Sequence, residues 1–160
     1  DATVVPGDFN GDGKNDFVFQ RGNVFHIRIN GTSETGTVTF GTPVIDETDF
    51  PDITVPADYD GDGITDIAVI SDVGGSLKWS IRPSSAPLTT IVQVWGVSSS
   101  VHPDLAVPGD YDGDGKADFA VWRQETGQFL VKSSGNGSNW IVNLGGLEDF
   151  PVAAFSVGNQ

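Results

Sequence analysis

Three short stretches of this chain carry side-chain oxygens at a spacing that suits a hard cation. Asp8, Asn10, Asp12 and Asp16 stand at positions 1, 3, 5 and 9 of the first stretch. Asp58, Asp60, Asp62 and Asp66 repeat that spacing in the second, and Asp110, Asp112, Asp114 and Asp118 in the third. Alternate side chains of a tight loop point inward, so each set can converge on one centre. Gly11 and Gly13 of the first copy allow the positive φ that wraps a backbone around it. Position 7 is Lys14, Ile64 or Lys116, which share no side-chain chemistry and so fit a backbone carbonyl ligand. Six or seven hard oxygens without His or Cys select Ca²⁺ over zinc or copper. Mg²⁺ fits less well, because it demands compact octahedral geometry and retained water. One such copy could be an Asx-rich turn with solvated carboxylates. Three copies in one register point instead to cation binding, with three Ca²⁺ sites expected.

The elements that must position these loops follow from the repeat. The first Asp of each copy falls at 8, 58 and 110, giving periods of 50 and 52 residues, the size of one four-stranded propeller blade. After each loop comes a short β-branched and aromatic run: Phe17 to Phe19, Ile67 to Ile70, Phe119 to Trp122. A further strand is expected at Val24 to Ile29, Leu77 to Ile81 and Gln128 to Val131, and another at Thr37 to Phe40, Ile91 to Trp95 and Trp140 to Val142. Pro-led opening strands are expected at Pro51 to Val55, Pro103 to Val107 and Pro151 to Phe155. No segment of ten residues combines helical periodicity with capping signals. The expected fold is therefore all-β, with three four-stranded propeller-type blades plus the opening strand of a fourth, in a propeller that is partial or completed by oligomerisation. One repeat domain over 1–160 is expected, with repeat 1 about 1–50, repeat 2 about 51–102, repeat 3 about 103–150 and a closing strand at 151–160.

Composition narrows the function. The 160 residues carry 22 acids against 8 Lys and Arg, a formal charge of −14, and 18 of the acids are Asp. Asp favours turns and hard-cation sites where Glu favours helices. So few basic residues cannot neutralise a phosphate backbone, which argues against nucleic acid and equally against anionic membrane surfaces. The absence of Cys excludes disulfides, thiolate zinc sites and cysteine nucleophiles. No apolar run approaches the roughly 20 residues of a membrane helix, so no membrane insertion is expected. The chain opens at Asp1 without Met or a hydrophobic leader and is expected to be a processed product or an excised piece. The sequons at Asn30 and Asn136 are read as chance, being built of turn residues.

Two calcium-loop motifs are distinguishable from these. An EF-hand needs a Glu at position 12 and flanking helices, whereas position 12 here is Phe19, Val69 or Val121 within a strand. Dockerin loops share the opening but sit on helices at shorter spacing. The segments Val5-Pro6-Gly7-Asp8-Phe9-Asn10-Gly11-Asp12-Gly13, Val55 to Gly63 and Val107 to Gly115, with the strands that follow, resemble FG-GAP or VCBS-type propeller repeats, as in integrin α-chains and many secreted microbial proteins. That resemblance implies blades with Ca²⁺ between their first two strands, serving adhesion, recognition or scaffolding. The three blades depart from the usual ring.

Other residues are assigned the plainer role. Trp79, Trp95, Trp122 and Trp140 could stack on sugars, but lie in expected strands and are read as buried. His26 and His102 lack the spacing of a metal pair, and Arg21, Arg28, Arg82 and Arg123 are read as forks onto carboxylates near the loops. Half of the acids are committed to the loops, and Asp46, Glu47, Asp49, Asp104 and Asp149 repeat only loosely. No nucleophile elbow or phosphate loop is present, so no enzymatic activity and no catalytic residue is expected. The expected function is a secreted or cell-surface Ca²⁺-binding module for recognition or adhesion, with a glycan or an extracellular protein as partner. The alternative is a structural or accessory repeat of a larger secreted hydrolase or lyase. Either a homodimer or a longer propeller is expected to complete the fold.

Overall fold

The computed structural model describes residues 2–43, 52–98 and 101–152. Among them there is no helix, and twelve strands form three sheets. The first sheet holds β1 (Thr3–Gly7), β2 (Asp16–Arg21), β3 (Val24–Arg28) and β4 (Thr35–Thr39). The second holds β5 (Ile53–Thr54), β6 (Ile67–Val73), β7 (Ser76–Arg82) and β8 (Ile91–Val97). The third holds β9 (Leu105–Ala106), β10 (Phe119–Arg123), β11 (Gln128–Lys132) and β12 (Asn139–Asn143). Each sheet is an antiparallel meander in chain order, the form of a propeller blade, and none closes into a barrel.

The first strands of the second and third sheets are shorter than their Pro-led sequence suggests. The pairing nevertheless runs on past β5 and β9: Val55 and Val107 donate to the Ala68 and Ala120 carbonyls at 3.0 and 2.9 Å, and Ala57 and Gly109 bridge to Asp66 and Asp118. In contrast β6 and β7 outrun their apolar core, because Gly74 and Gly75, at φ 61° and 85°, make a two-residue hairpin turn. Pro51 lies outside the described residues. Pro151 and Val152 belong to no strand, and the rest of the expected fourth opening strand, from Ala153, lies outside the described residues.

Alternation along the central strands explains how the sheets stack. Ile67 and Val69 of β6 point to one face and pack with Val5, Val18 and Phe25 of the first sheet. Ala68 and Ile70 point to the other face and join Leu77, Trp79, Ile81, Phe119 and Val121 in a cluster shared with the third sheet. A strand buried on both faces reads as a continuous apolar run, which is what Ile67 to Ile70 is. Trp79 is fully buried and donates its indole N–H to the Trp95 carbonyl at 2.8 Å. The Trp95 indole then crosses to the third sheet, donating to the Leu130 carbonyl at 3.1 Å. Val107, Ala120, Trp122 and Val131 form a third cluster on the far face of the third sheet. Trp79 and Trp122 are thus core residues, and Trp95 and Trp140 are half-buried.

Candidate metal centres

Each Asp-rich loop joins the first strand of a sheet to the second. Its base is closed by one antiparallel pair: Gly7 with Asp16, Ala57 with Asp66, Gly109 with Asp118. The ninth-position Asp therefore belongs to the sheet and is buried in all three copies. Its Oδ2 accepts the N–H of position 2, from Phe9 at 2.8 Å, Tyr59 at 2.8 Å and Tyr111 at 3.0 Å. Its Oδ1 accepts an N–H from the far side of the sheet, from Asn30 at 2.9 Å, Ser84 at 2.7 Å and Ser134 at 3.0 Å.

The first-position Asp organises the exposed rim. Asp58 accepts N–H groups of Gly61 at 2.6 Å and Gly63 at 2.8 Å, Asp110 those of Gly113 at 2.7 Å and Gly115 at 3.0 Å, and Asp8 those of Gly11 at 2.7 Å and Gly13 at 2.6 Å. These contacts require the backbone to turn back on itself, which Gly11 and Gly13 allow at φ 78° and 81°. The fifth-position Asp accepts the N–H of position 7: Asp12 from Lys14 at 2.9 Å, Asp62 from Ile64 at 2.8 Å, Asp114 from Lys116 at 2.9 Å.

In the second loop carboxylate oxygens of Asp58, Asp60 and Asp66 lie within 4.8 Å of one another, and Asp110, Asp112 and Asp118 do the same in the third. Positions 1, 3 and 9 thus converge as their spacing suggests. Asp62 and Asp114 stand outside these trios; Asp62 instead accepts the Ser84 hydroxyl at 2.5 Å, while Asp60 accepts that of Ser85 at 2.6 Å. In the first loop Asn10 replaces one acid and Lys14 Nζ pairs with Asp12 at 3.3 Å, and Asp8, Asp12 and Asp16 form no such trio.

The electrostatics are those of crowded, partly buried carboxylates. Burial, joined by the charges of Asp60 and Asp58, pushes the Asp66 carboxyl up to about 6 against the N–H bonds from Ser84 and Tyr59. Asp118 is raised by burial, with Asp112 and Asp114 adding to it. Burial also works to raise Asp8 and Asp60. Backbone N–H donors outweigh it at Asp8, and the Ser85 hydroxyl with backbone donors at Asp60, so both carboxyls sit below their ordinary value. An all-oxygen donor set of crowded carboxylates is the chemistry of a hard divalent cation. Among the described residues the buried Ser134 Oγ, on the residue whose N–H holds Asp118, has no hydrogen-bond partner. The second and third loops could each hold a metal ion.

Asn30, Ser84, Ser85 and Ser134 are the residues that loop spacing alone does not reveal. A signal for three of them is present: a basic strand end, one residue, then Asn or Ser, in Arg28-Ile29-Asn30, Arg82-Pro83-Ser84 and Lys132-Ser133-Ser134. Arg123 forks onto Asp104 at 2.9 and 2.8 Å, away from the loops, and Arg21 lies over the Phe19 ring at 5.7 Å. His26 stacks on Phe19 at 4.5 Å, and His102 meets Glu125 at 3.2 Å.

No curated protein and no solved structure matches the chain. The family described as FG-GAP-like repeat matches residues 8–69 and 58–121, each match running from one Asp loop through the next loop and its second strand. With more than half of its length covered by two overlapping matches, and with three equivalent sheets each opened by the same loop, the chain belongs to the FG-GAP-like repeat family.

Proposed function

We propose that this chain is an extracellular, Ca²⁺-stabilised propeller-type module for recognition or adhesion, with one cation in each Asp loop. The observation that carries the reading is the recurrence of one carboxylate trio, at positions 1, 3 and 9, in the second and third loops. Asp8, Asn10, Asp12 and Asp16 offer the corresponding oxygens in the first loop, with the carbonyls of Lys14, Ile64 and Lys116 as further ligands. Calcium bound there would neutralise the crowded carboxylates and tie the rim to the sheet. Ligand at 100 times its dissociation constant stabilises the native state by about 2.7 kcal/mol per site. Calorimetric titration with Ca²⁺, paired with melting in excess EGTA, tests this: saturable binding and a clear drop in melting temperature on chelation are expected. An unchanged melt with no heat of binding would overturn it.

A second reading, an accessory repeat of a larger secreted hydrolase or lyase without a ligand of its own, is favoured by the state of the indoles. Trp79 and Trp122 are buried and Trp95 and Trp140 half-buried, so among the described residues no Trp stands as a fully exposed platform for a sugar. A glycan array separates the two, since reproducible binding supports recognition and silence supports the accessory role. In both readings the module performs no catalysis of its own; Asp104, an acid outside the loops, is already held by Arg123. We further propose that copies of the chain self-associate through the free face of the first sheet.

A further inference from the structure

The three loops are not independent turns on separate sheets. The N–H of Thr65, at position 8 of the second loop, donates to the carbonyl of Asp8, at position 1 of the first, at 2.7 Å. Ala117, at the same position of the third loop, donates to the carbonyl of Asp58 at 2.6 Å. The first junction has a second bond, because the Asp8 N–H donates to Thr65 Oγ1 at 3.0 Å. Side chains interlock along the same line. A Cβ on Gly11 would lie 3.1 Å from Ile64 Cγ1, and one on Gly61 would lie 3.1 Å from Lys116 Cγ, so position 7 of each later loop rests on the position-4 glycine of the loop before it.

The junction leaves no room for a side chain at Gly7. A Cβ there would stand 2.8 Å from Thr65 Cγ2 and 2.9 Å from its hydroxyl, and 2.8 Å from Phe9 Cε2 of its own loop. Where the following loop carries Thr65 the preceding residue is Gly7; where it carries the smaller Ala117, the equivalent residue is Ala57.

We propose that the first and second loops are each held in ligand geometry by the loop of the following repeat, with Thr65 the positioning residue of the first, so that cation occupancy of neighbouring loops is coupled. The coupling rests on the calcium reading above, whereas the bracing does not. Both peptide groups of Asp8 are fixed by Thr65, which limits where its carboxylate can point. Thr65 itself sits between Ile64 and Asp66, both in the proposed ligand set of the second loop. A cation in the second loop therefore orders the residue that orders the first, and linkage makes the effect reciprocal.

The bracing is tested without metal by amide exchange across residues 8–13 of the intact chain. Thr65→Val, which keeps the shape and removes the hydroxyl, should speed exchange there by about threefold to tenfold, the worth of one hydrogen bond. Thr65→Ser, which keeps the hydroxyl, should restore it. Exchange in Thr65→Val as slow as in the wild type would overturn the bracing. Calcium titration then tests coupling: Asp60→Ala, which disables the second loop, should weaken the first severalfold, and an indifferent first loop would overturn it. If no variant and no wild type binds Ca²⁺, the calcium reading and the coupling fall together, while the exchange result still decides the bracing.

Discussion

Asp66 sits fully buried with two other carboxylates in its loop, and its protonation ties the second loop to pH. The folded carboxyl keeps its proton to about 6, against an ordinary value of 3.8. Between those values the cation-free fold binds more protons than the unfolded chain, so its stability declines as pH rises through the window. Asp118 is raised too and acts in the same direction. Asp8 and Asp60, held low, act oppositely, contributing stability that is lost as pH falls through their lowered values. Urea unfolding in EGTA should therefore show stability declining from about pH 4 to pH 6 as Asp66 ionises, and Asp66→Asn should flatten that decline. A decline of the same size in the variant would locate it elsewhere. The same logic ranks the sites: with Asn10 in place of an acid, the first loop offers less charge to a cation and should be the weakest of the three. Titration of Asp12→Ala, Asp62→Ala and Asp114→Ala checks this, and a first loop that binds tightest would mean that bracing by Thr65 outweighs charge.

At the scale of elements, the second to fourth strands of each sheet were legible because their apolar runs and the loops between them recur at one period. The contacts that join elements were not, because they depend on register. Asp104 is an example: it follows Pro103 as Asp52 follows Pro51, but its partners are remote in sequence, for it is buried, accepts the Val97 N–H at 2.9 Å and takes both arms of Arg123. It thereby pins the end of β8 to β10, joining the second sheet to the third. Removing one partner of such a pair costs about 3–5 kcal/mol when both are buried, and Arg123 is only partly so. Asp104→Ala should therefore cost about 3 kcal/mol in urea unfolding, and Asp104→Asn less, since the amide oxygen can still accept from Val97. Tyr59 makes a local contact instead, its buried hydroxyl donating to the Val55 carbonyl at 2.7 Å, as that of Tyr111 does to Val107 at 2.9 Å. Tyr59→Phe should cost about 1 kcal/mol. The Asp trios were legible because all their ligands lie within nine residues. The braces from Asn30, Ser84 and Ser134 share a recurring basic strand end two residues before them, but that pattern does not say what they touch, since a meander must first fold to bring them to the loop.

The stacking of sheets into a molecule leaves one face in a different state from its equivalents. Phe17 in β2 occupies the position held by Ile67 in β6 and Phe119 in β10, the first residue after each loop's ninth Asp. Ile67 is 8% and Phe119 5% exposed, each covered by the sheet before it, whereas Phe17 is 63% exposed. Val4 beside it is 65% exposed, and the stacked rings of Phe19 and His26 continue the patch. An apolar face equivalent to two buried interfaces is suited to another sheet, and a second copy of the chain can supply one. The obstacle is charge, since two copies at −14 repel; three divalent cations per copy would remove six of those excess negative charges. Self-association should therefore be stronger in saturating Ca²⁺ than in EGTA, as read by sedimentation over a range of concentrations. Phe17→Asp should weaken it by at least tenfold, because burying one such side chain is worth about 1.5–3 kcal/mol and the variant also adds a charge to the face. The same variant should shift the stability of the isolated chain by no more than about 0.5 kcal/mol, the usual limit for an exposed position. Association that survives Phe17→Asp would move the contact to another face, and a chain that stays monomeric at high concentration in saturating Ca²⁺ would overturn self-association altogether.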